Sequence, residues 1–193
     1  MGQSRRPLVQ RADLEELTER ILASTPEELR AVPGLSYDRA YKRFYPAIDP
    51  LISWSRYLDQ LAGWYKRNLD PGWVDRVKRV QALLEAGDGV QQMMQVTGEQ
   101  GITTADYVTY QKALFVDMVF LQQDAFDEVD ALTPIERQEY MLDKVLDIYR
   151  STFSFESFEE VAGYFKRIIN VCKQMNYAPF QSEAFKRYEQ ELE

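Results

Sequence analysis

The 193-residue chain carries 23 Lys and Arg against 31 Asp and Glu, a formal net charge of −8, with one cysteine and no histidine. Without an imidazole, neither a Ser-His-Asp nor a Cys-His nucleophile system can be assembled, and one thiol supplies neither a structural zinc site nor an internal disulfide. The length suits one domain with a real core, since a chain of this size buries roughly 70% of its unfolded surface.

The acidic balance argues against nucleic acid as a partner, because phosphate binding needs clustered Lys and Arg. Arg5-Arg6, Lys42-Arg43 and Lys66-Arg67 are only isolated basic pairs among acids and aromatics, as on solvated helix faces. The longest apolar run, Ala113 to Leu121, is interrupted by Asp117. It falls far short of the ~20 residues a spanning helix requires, so direct membrane insertion is not expected. Met1 to Arg6 has no apolar h-region, and Arg6 stands where a myristoylation signal has Ser or Thr. A soluble, cytoplasmic protein is expected.

In chain order, Leu14, Leu17 and Ile21 mark a first helix, and Thr25-Pro26-Glu27-Glu28 forms a capping box with proline at the first helical position. Pro33-Gly34 reads as a joint, which divides a helical leader, 1–34, from a bundle, 35–193. Tyr37, Ala40, Tyr41 and Phe44 follow at helical spacing. Asp49-Pro50 predicts the acidic cap of a helix through Leu51, Trp54, Leu58, Leu61 and Tyr65. Asp70-Pro71 predicts another, through Trp73, Val77, Val80 and Leu84, which Gly87-Asp88-Gly89 should break before a shorter segment of Val90, Met93, Met94 and Val96. Tyr107, Tyr110, Leu114, Met118 and Leu121 line a long helix. Thr133-Pro134-Ile135-Glu136 repeats the capping box ahead of Met141, Val145, Ile148 and Tyr149. Ser157-Phe158-Glu159-Glu160 opens a helix lined by Val161, Phe165, Ile168, Cys172 and Met175. A joint around Pro179 precedes a last helix with Phe185, Tyr188 and Leu192. No segment alternates with period two, so the expected fold class is all-α, a helical bundle with capped, proline-started helices.

Candidate chemistry is sparse. Asp124, Asp127, Glu128 and Asp130 form the densest acidic cluster, but 124–130 lacks glycine, and Ala125 and Phe126 interrupt the ligand row that an EF-hand loop needs. Helix capping explains the cluster better, and no metal is expected. Cys172 lies on an apolar stripe as a core thiol. Neither Gly-x-x-x-x-Gly-Lys-[Ser/Thr] nor Gly-x-Gly-x-x-Gly occurs, so this chain by itself should not hydrolyse a nucleotide. Phe126 falls between helices, flanked by Asp124 and Asp127. An aromatic there is either a core plug or the wall of a pocket or interface.

Two segments carry a resemblance. Arg43-Phe44-Tyr45-Pro46-Ala47-Ile48-Asp49-Pro50-Leu51-Ile52-Ser53-Trp54-Ser55-Arg56-Tyr57 resembles the opening of the C-terminal helical domain of the catalytic A (alpha) subunit of V-type rotary ATPases and ATP synthases of archaea and bacteria. Leu121-Gln122-Gln123-Asp124-Ala125-Phe126-Asp127-Glu128-Val129-Asp130 is similar to that family's Leu-Gln-Gln-Asn-Ala-Phe-Asp-x-Val-Asp, and Tyr140-Met141-Leu142 follows in the family's order. The likeness is close over about 35–150, looser to 193, and absent from 1–34.

The resemblance implies a domain that couples nucleotide state to ring and rotor movement in ATP-driven ion transport, peripheral to a membrane-bound complex. It implies that Phe126 stacks on the adenine, with Gln122 and Gln123 beside it as further cofactor-binding candidates. ATP or ADP with Mg would be held by the P-loop part of such a subunit, and no cofactor by this chain. The implied partners are the B subunits of the ring and the central rotor stalk, the latter facing the turn from Thr97 to Asp106. Asp124 replaces the family's Asn, which keeps an acceptor and loses a donor. The isolated domain is expected to be a monomer. The alternative, from another class, is an independent helical adaptor that binds a partner through an acidic, aromatic-rich surface.

Overall fold

A computed structural model describes residues 31–44 and 46–192. The signals around Leu14 and Thr25-Pro26 lie outside the described residues. Within them the architecture is the all-α bundle that the capping and periodicity predict, with one departure: a small antiparallel hairpin at the start. In this hairpin β1 (Ala31–Leu35) pairs with β2 (Ile48–Ser55), and α1 (Tyr37–Tyr41) sits in the connection. Two short helices follow, α2 (Tyr57–Gln60) and α3 (Ala62–Asn68). Together 31–68 form an arm.

The hairpin corrects two expectations. Pro33-Gly34 is not a joint but the middle of β1, and Asp49-Pro50 does not start a helix but lies inside β2. The register passes from Val32↔Trp54 to Gly34↔Asp49, an irregularity centred on Pro33, which has no N–H to give a ladder. Side chains bridge the gap. Ser53 Oγ accepts from the Gly34 N–H at 2.9 Å and donates to the Asp49 carbonyl. The Asp49 carboxylate accepts from the Leu51 N–H at 3.0 Å, a local turn in place of a helix cap. A Cβ on Gly34 would run into the Ile52 side chain, so the strands approach here only because that position is glycine.

The bundle comprises α4 (Trp73–Thr97), α5 (Thr104–Val116), α6 (Ile135–Arg150), α7 (Phe158–Tyr177) and α8 (Glu183–Gln190). The predicted break at Gly87-Asp88-Gly89 does not occur; α4 runs straight through it. Gly87 is buried against α5, where a Cβ would overlap the Ala113 methyl, so the glycine serves helix approach rather than chain reversal. The box at Thr133-Pro134 also fails. Pro134 itself takes the cap position of α6, and the Thr133 hydroxyl turns back to donate to the Asp130 carbonyl at 3.1 Å. Ser157 caps α7 as predicted, and Ser182 caps α8. Thr103 and Asp106 form a reciprocal box at the start of α5.

The core is built from α4 to α8. Phe115, Leu142, Leu146, Phe165, Met175 and Phe185 are all buried within it, each contributing about 1.5–3 kcal/mol of transfer free energy. Cys172 is buried there too, and burial pushes its thiol up to about 12, as an inert core thiol requires. The arm docks on this body through Arg39, whose guanidinium donates two hydrogen bonds to the Asp117 carboxylate, at 2.8 and 2.6 Å, while lying 4.7 Å over the Phe44 ring. No helix among the described residues is long and apolar enough to cross a membrane.

Candidate functional site

The end of α5 shapes the most distinctive loop of the molecule. After Val116 the helix widens into a π turn, Asp117–Leu121, which the Gln122 N–H closes by donating to the Asp117 carbonyl at 3.0 Å. Such widened turns redirect a helix and release a carbonyl from the regular ladder. The Val119 carbonyl takes its hydrogen bond from the Asn176 side chain at the end of α7, at 2.8 Å. The chain then leaves the helix over the C-terminal end of α7.

Its carboxylates fold the loop back on itself. Asp124 accepts from the Phe126 N–H at 2.9 Å, and Asp127 accepts from the Val129 and Asp130 N–H groups at 2.9 and 2.8 Å. Asp130 is buried and accepts from the Asp124 N–H at 2.6 Å. Asp124, Asp127 and Asp130 thus satisfy backbone donors within the loop and not at a helix start, as capping would have required; no group of residues among those described is arranged to hold a metal ion. Gln123 donates to the Asp130 carbonyl at 3.1 Å and to the Thr133 hydroxyl at 3.4 Å.

Beneath the loop lies Arg137, only 2% exposed. It donates to the carbonyls of Met175 and Asn176 at 2.8 and 2.7 Å, joining the start of α6 to the end of α7. Those carbonyls carry the negative end of the α7 dipole, which a guanidinium complements. Burial raises the Asp130 pKa, and its hydrogen bond from Asp124 and the nearby Arg137 charge oppose that rise. The Tyr177 hydroxyl donates to Asp124 at 3.3 Å, and desolvation followed by the neighbouring carboxylates pushes its pKa up.

The loop backbone is therefore tied from within and from below, while its apex side chain is left outside. Phe126 is 93% exposed, so it is no core plug. It borders a cleft of about 220 Å³ whose lining includes Gln122, Gln123, Asp124, Lys173 and Arg43. All three sequence-predicted residues, Phe126, Gln122 and Gln123, therefore meet at one cleft. Arg43 reaches it from the arm with a left-handed backbone, φ 61°, just after α1. The space is smaller than the roughly 300–1,000 Å³ of a complete small-molecule pocket. It offers one wall rather than an enclosure.

Two residues that hold the loop, Arg137 and Asn176, belong to no sequence motif. Arg137 had a visible signal, because it shares the i, i+4, i+8 stripe of Met141 and Val145 and is the charged member of an apolar face. Asn176 directly follows the apolar stripe that ends at Met175, and nothing local distinguishes it from an ordinary helix-end residue.

Residues 62–156 match the family model described as the C-terminal domain of V and A type ATP synthase. The chain is 37% identical over 169 residues to the V-type ATP synthase alpha chain of Protochlamydia amoebophila, which covers 88% of this chain and 28% of that one. It is 36% identical over 171 residues to the alpha chain of Treponema denticola, covering 89% of this chain and 27% of the relative. The chain belongs to this family. It spans 27–28% of the length of these curated relatives. Within the V/A-type C-terminal domain, the family match takes in α4 to α6 and the Phe126 loop. The hairpin and helices α7 and α8 lie outside it, although α7 supplies Asn176, Lys173 and Tyr177 to the cleft.

Proposed function

We propose that this domain closes the adenine side of a nucleotide pocket in a V-type ATP synthase alpha subunit and converts the pocket's occupancy into movement of the ring and rotor. The observation that carries the proposal is Phe126, an almost fully exposed ring on a loop whose backbone is held by its own carboxylates. An exposed aromatic on a rigid support is a stacking platform, and a base stacked on it gains about 1–3 kcal/mol. That is too little to hold a nucleotide unaided. ATP or ADP with Mg would be anchored by the P-loop part of the subunit, and this chain would supply the lid.

The bundle suits a lever. The close Gly87–Ala113 crossing of α4 and α5 and the Arg137 tie between α6 and α7 make relative sliding of these helices costly. The turn between α4 and α5, ending in the Thr103–Asp106 box, is the end we assign to the rotor stalk. The B subunits would flank the other faces in a ring driving ion transport.

The test is Phe126→Ala in the assembled complex. ATP affinity should fall about five-fold or more, by the loss of one stacking contact, with a parallel effect on turnover. Unchanged affinity and turnover would remove the proposal. A second reading, an independent helical adaptor, draws on the arm, where Tyr37 and Tyr41 are 83% and 80% exposed. Co-purification with an unrelated protein instead of ring subunits would favour it.

A further inference from the structure

We propose that Asn176 is the positioning residue of the Phe126 loop, because its carboxamide keeps the end of α5 in a π turn instead of a regular helix. The inference rests on the stacking function proposed above and concerns what sets the ring's place, not what the ring touches. In an unbroken α-helix the Val119 carbonyl would accept from the N–H of Gln123, four residues on. Gln122 leaves the helix in extended backbone, φ −82° and ψ 135°, and takes that N–H away. The Asn176 side chain stands in for it, with Nδ2 2.8 Å from the Val119 oxygen. Only the nitrogen end of a carboxamide can serve a carbonyl in this way. Val119 is 2% and Asn176 9% exposed, so the carbonyl has no ready access to water in the amide's place.

The turn and the regular helix differ by one residue in register. The Gln122 N–H closes the π turn on the Asp117 carbonyl at 3.0 Å, whereas a regular helix would close it on Met118. Passing from one to the other turns every later residue by about 100° about the helix axis, which would re-aim the loop and Phe126 with it. A buried carbonyl without a donor is costly, so loss of the amide favours the regular helix, in which Val119 regains the Gln123 N–H. Asn176 is itself fixed. Its own carbonyl accepts from the Arg137 guanidinium at 2.7 Å, and the next residue, Tyr177, donates to Asp124 at 3.3 Å. The end of α7 thus holds the root of the loop, the start of α6 and the loop's own carboxylate. Movement of α7 against α5 would reach the Phe126 ring through this turn.

The 193-residue chain tests the geometry by NMR without any nucleotide. In the parent chain the Asn176 carboxamide protons should exchange with solvent far more slowly than those of an exposed amide; equally fast exchange would overturn the proposal without any variant. Asn176→Leu nearly keeps the volume and removes the donor. It should move the Gln122 backbone from extended toward helical chemical shifts and shift the Phe126 ring signals, with α4 unchanged. A loss of stability with those signals as in the parent would show Asn176 to be a packing residue and end the proposal. In the assembled complex, Asn176→Leu should weaken ATP binding about five-fold, as Phe126→Ala does, and the double variant should bind no more weakly than either. Additive losses would place the action of Asn176 elsewhere and overturn its positioning role. If Phe126→Ala leaves ATP binding unchanged while Asn176→Leu still moves the loop, positioning stands and stacking falls.

Discussion

In the bundle, Phe115, Phe165 and Phe185 are exposed by 1% or less, whereas in the arm Tyr37 and Tyr41 are 83% and 80% exposed. Both regions are rich in aromatics, yet only one has an interior. Helices α1, α2 and α3 bury no residue completely, and the two-stranded hairpin beside them is the kind of element that is marginal alone. The arm keeps its place through Arg39 on Asp117, Lys78 on Asp59 and the Tyr65 ring stacked on Trp73, and presents Leu35, Ile52, Trp54 and Trp64 outward. Aromatic content therefore does not by itself make a core. A core requires elements on two sides, and the arm has the bundle on one side only.

The contrast can be broken by experiment. Phe165→Ala should have the largest effect, about 3–5 kcal/mol lost in urea unfolding, because the ring is fully buried between helices. Arg137→Ala should follow at about 2–3 kcal/mol, since two carbonyls at the end of α7 lose their donor in a buried setting. A result near zero would mean that water replaces the guanidinium and that α6 and α7 are not tied there. Arg39→Ala should cost about 1–2 kcal/mol, confined to the arm. Amide hydrogen exchange should quicken in β1 and β2 and stay slow in α5 and α7. Equal acceleration in both would show that arm and bundle are one cooperative unit and end the distinction.

The smallest effect concerns pH. Because burial raises the Asp130 pKa in the folded chain, its contribution is fully present below the ordinary carboxylate value and is lost as pH rises through the folded one. The stability of the parent chain relative to Asp130→Asn should thus decline on going from about pH 4 toward neutrality. A relative rise over the same range would show that the Arg137 charge and the Asp124 N–H outweigh desolvation.

Much of the bundle is legible in local sequence because helix signals are local. Ser157 caps its helix with a hydroxyl one residue before the apolar stripe begins, and Val161, Phe165, Ile168, Cys172 and Met175 are buried at the predicted spacing. The loop 121–130 is legible as well, since its carboxylates satisfy backbone groups only two to six residues away. The hairpin is not, because Leu51, Trp54 and Leu58 imitate a helical stripe while the pairing partner of Trp54 is Val32, far away along the chain.

By itself the sequence determined the all-α class, the Ser157 cap of α7, the family, and the exclusion of imidazole and P-loop chemistry. These depend on residue identity and short spacings. Tertiary structure alone decided that Gly87 continues a helix instead of ending it, and that Arg137 lies beneath the loop. It also decided that Gln123 is spent where Gln122 is not. Each of these follows from what the fold brings opposite the residue: the Ala113 methyl, the carbonyls of α7, the Asp130 carbonyl. No local pattern specifies a neighbour that arrives from another part of the chain.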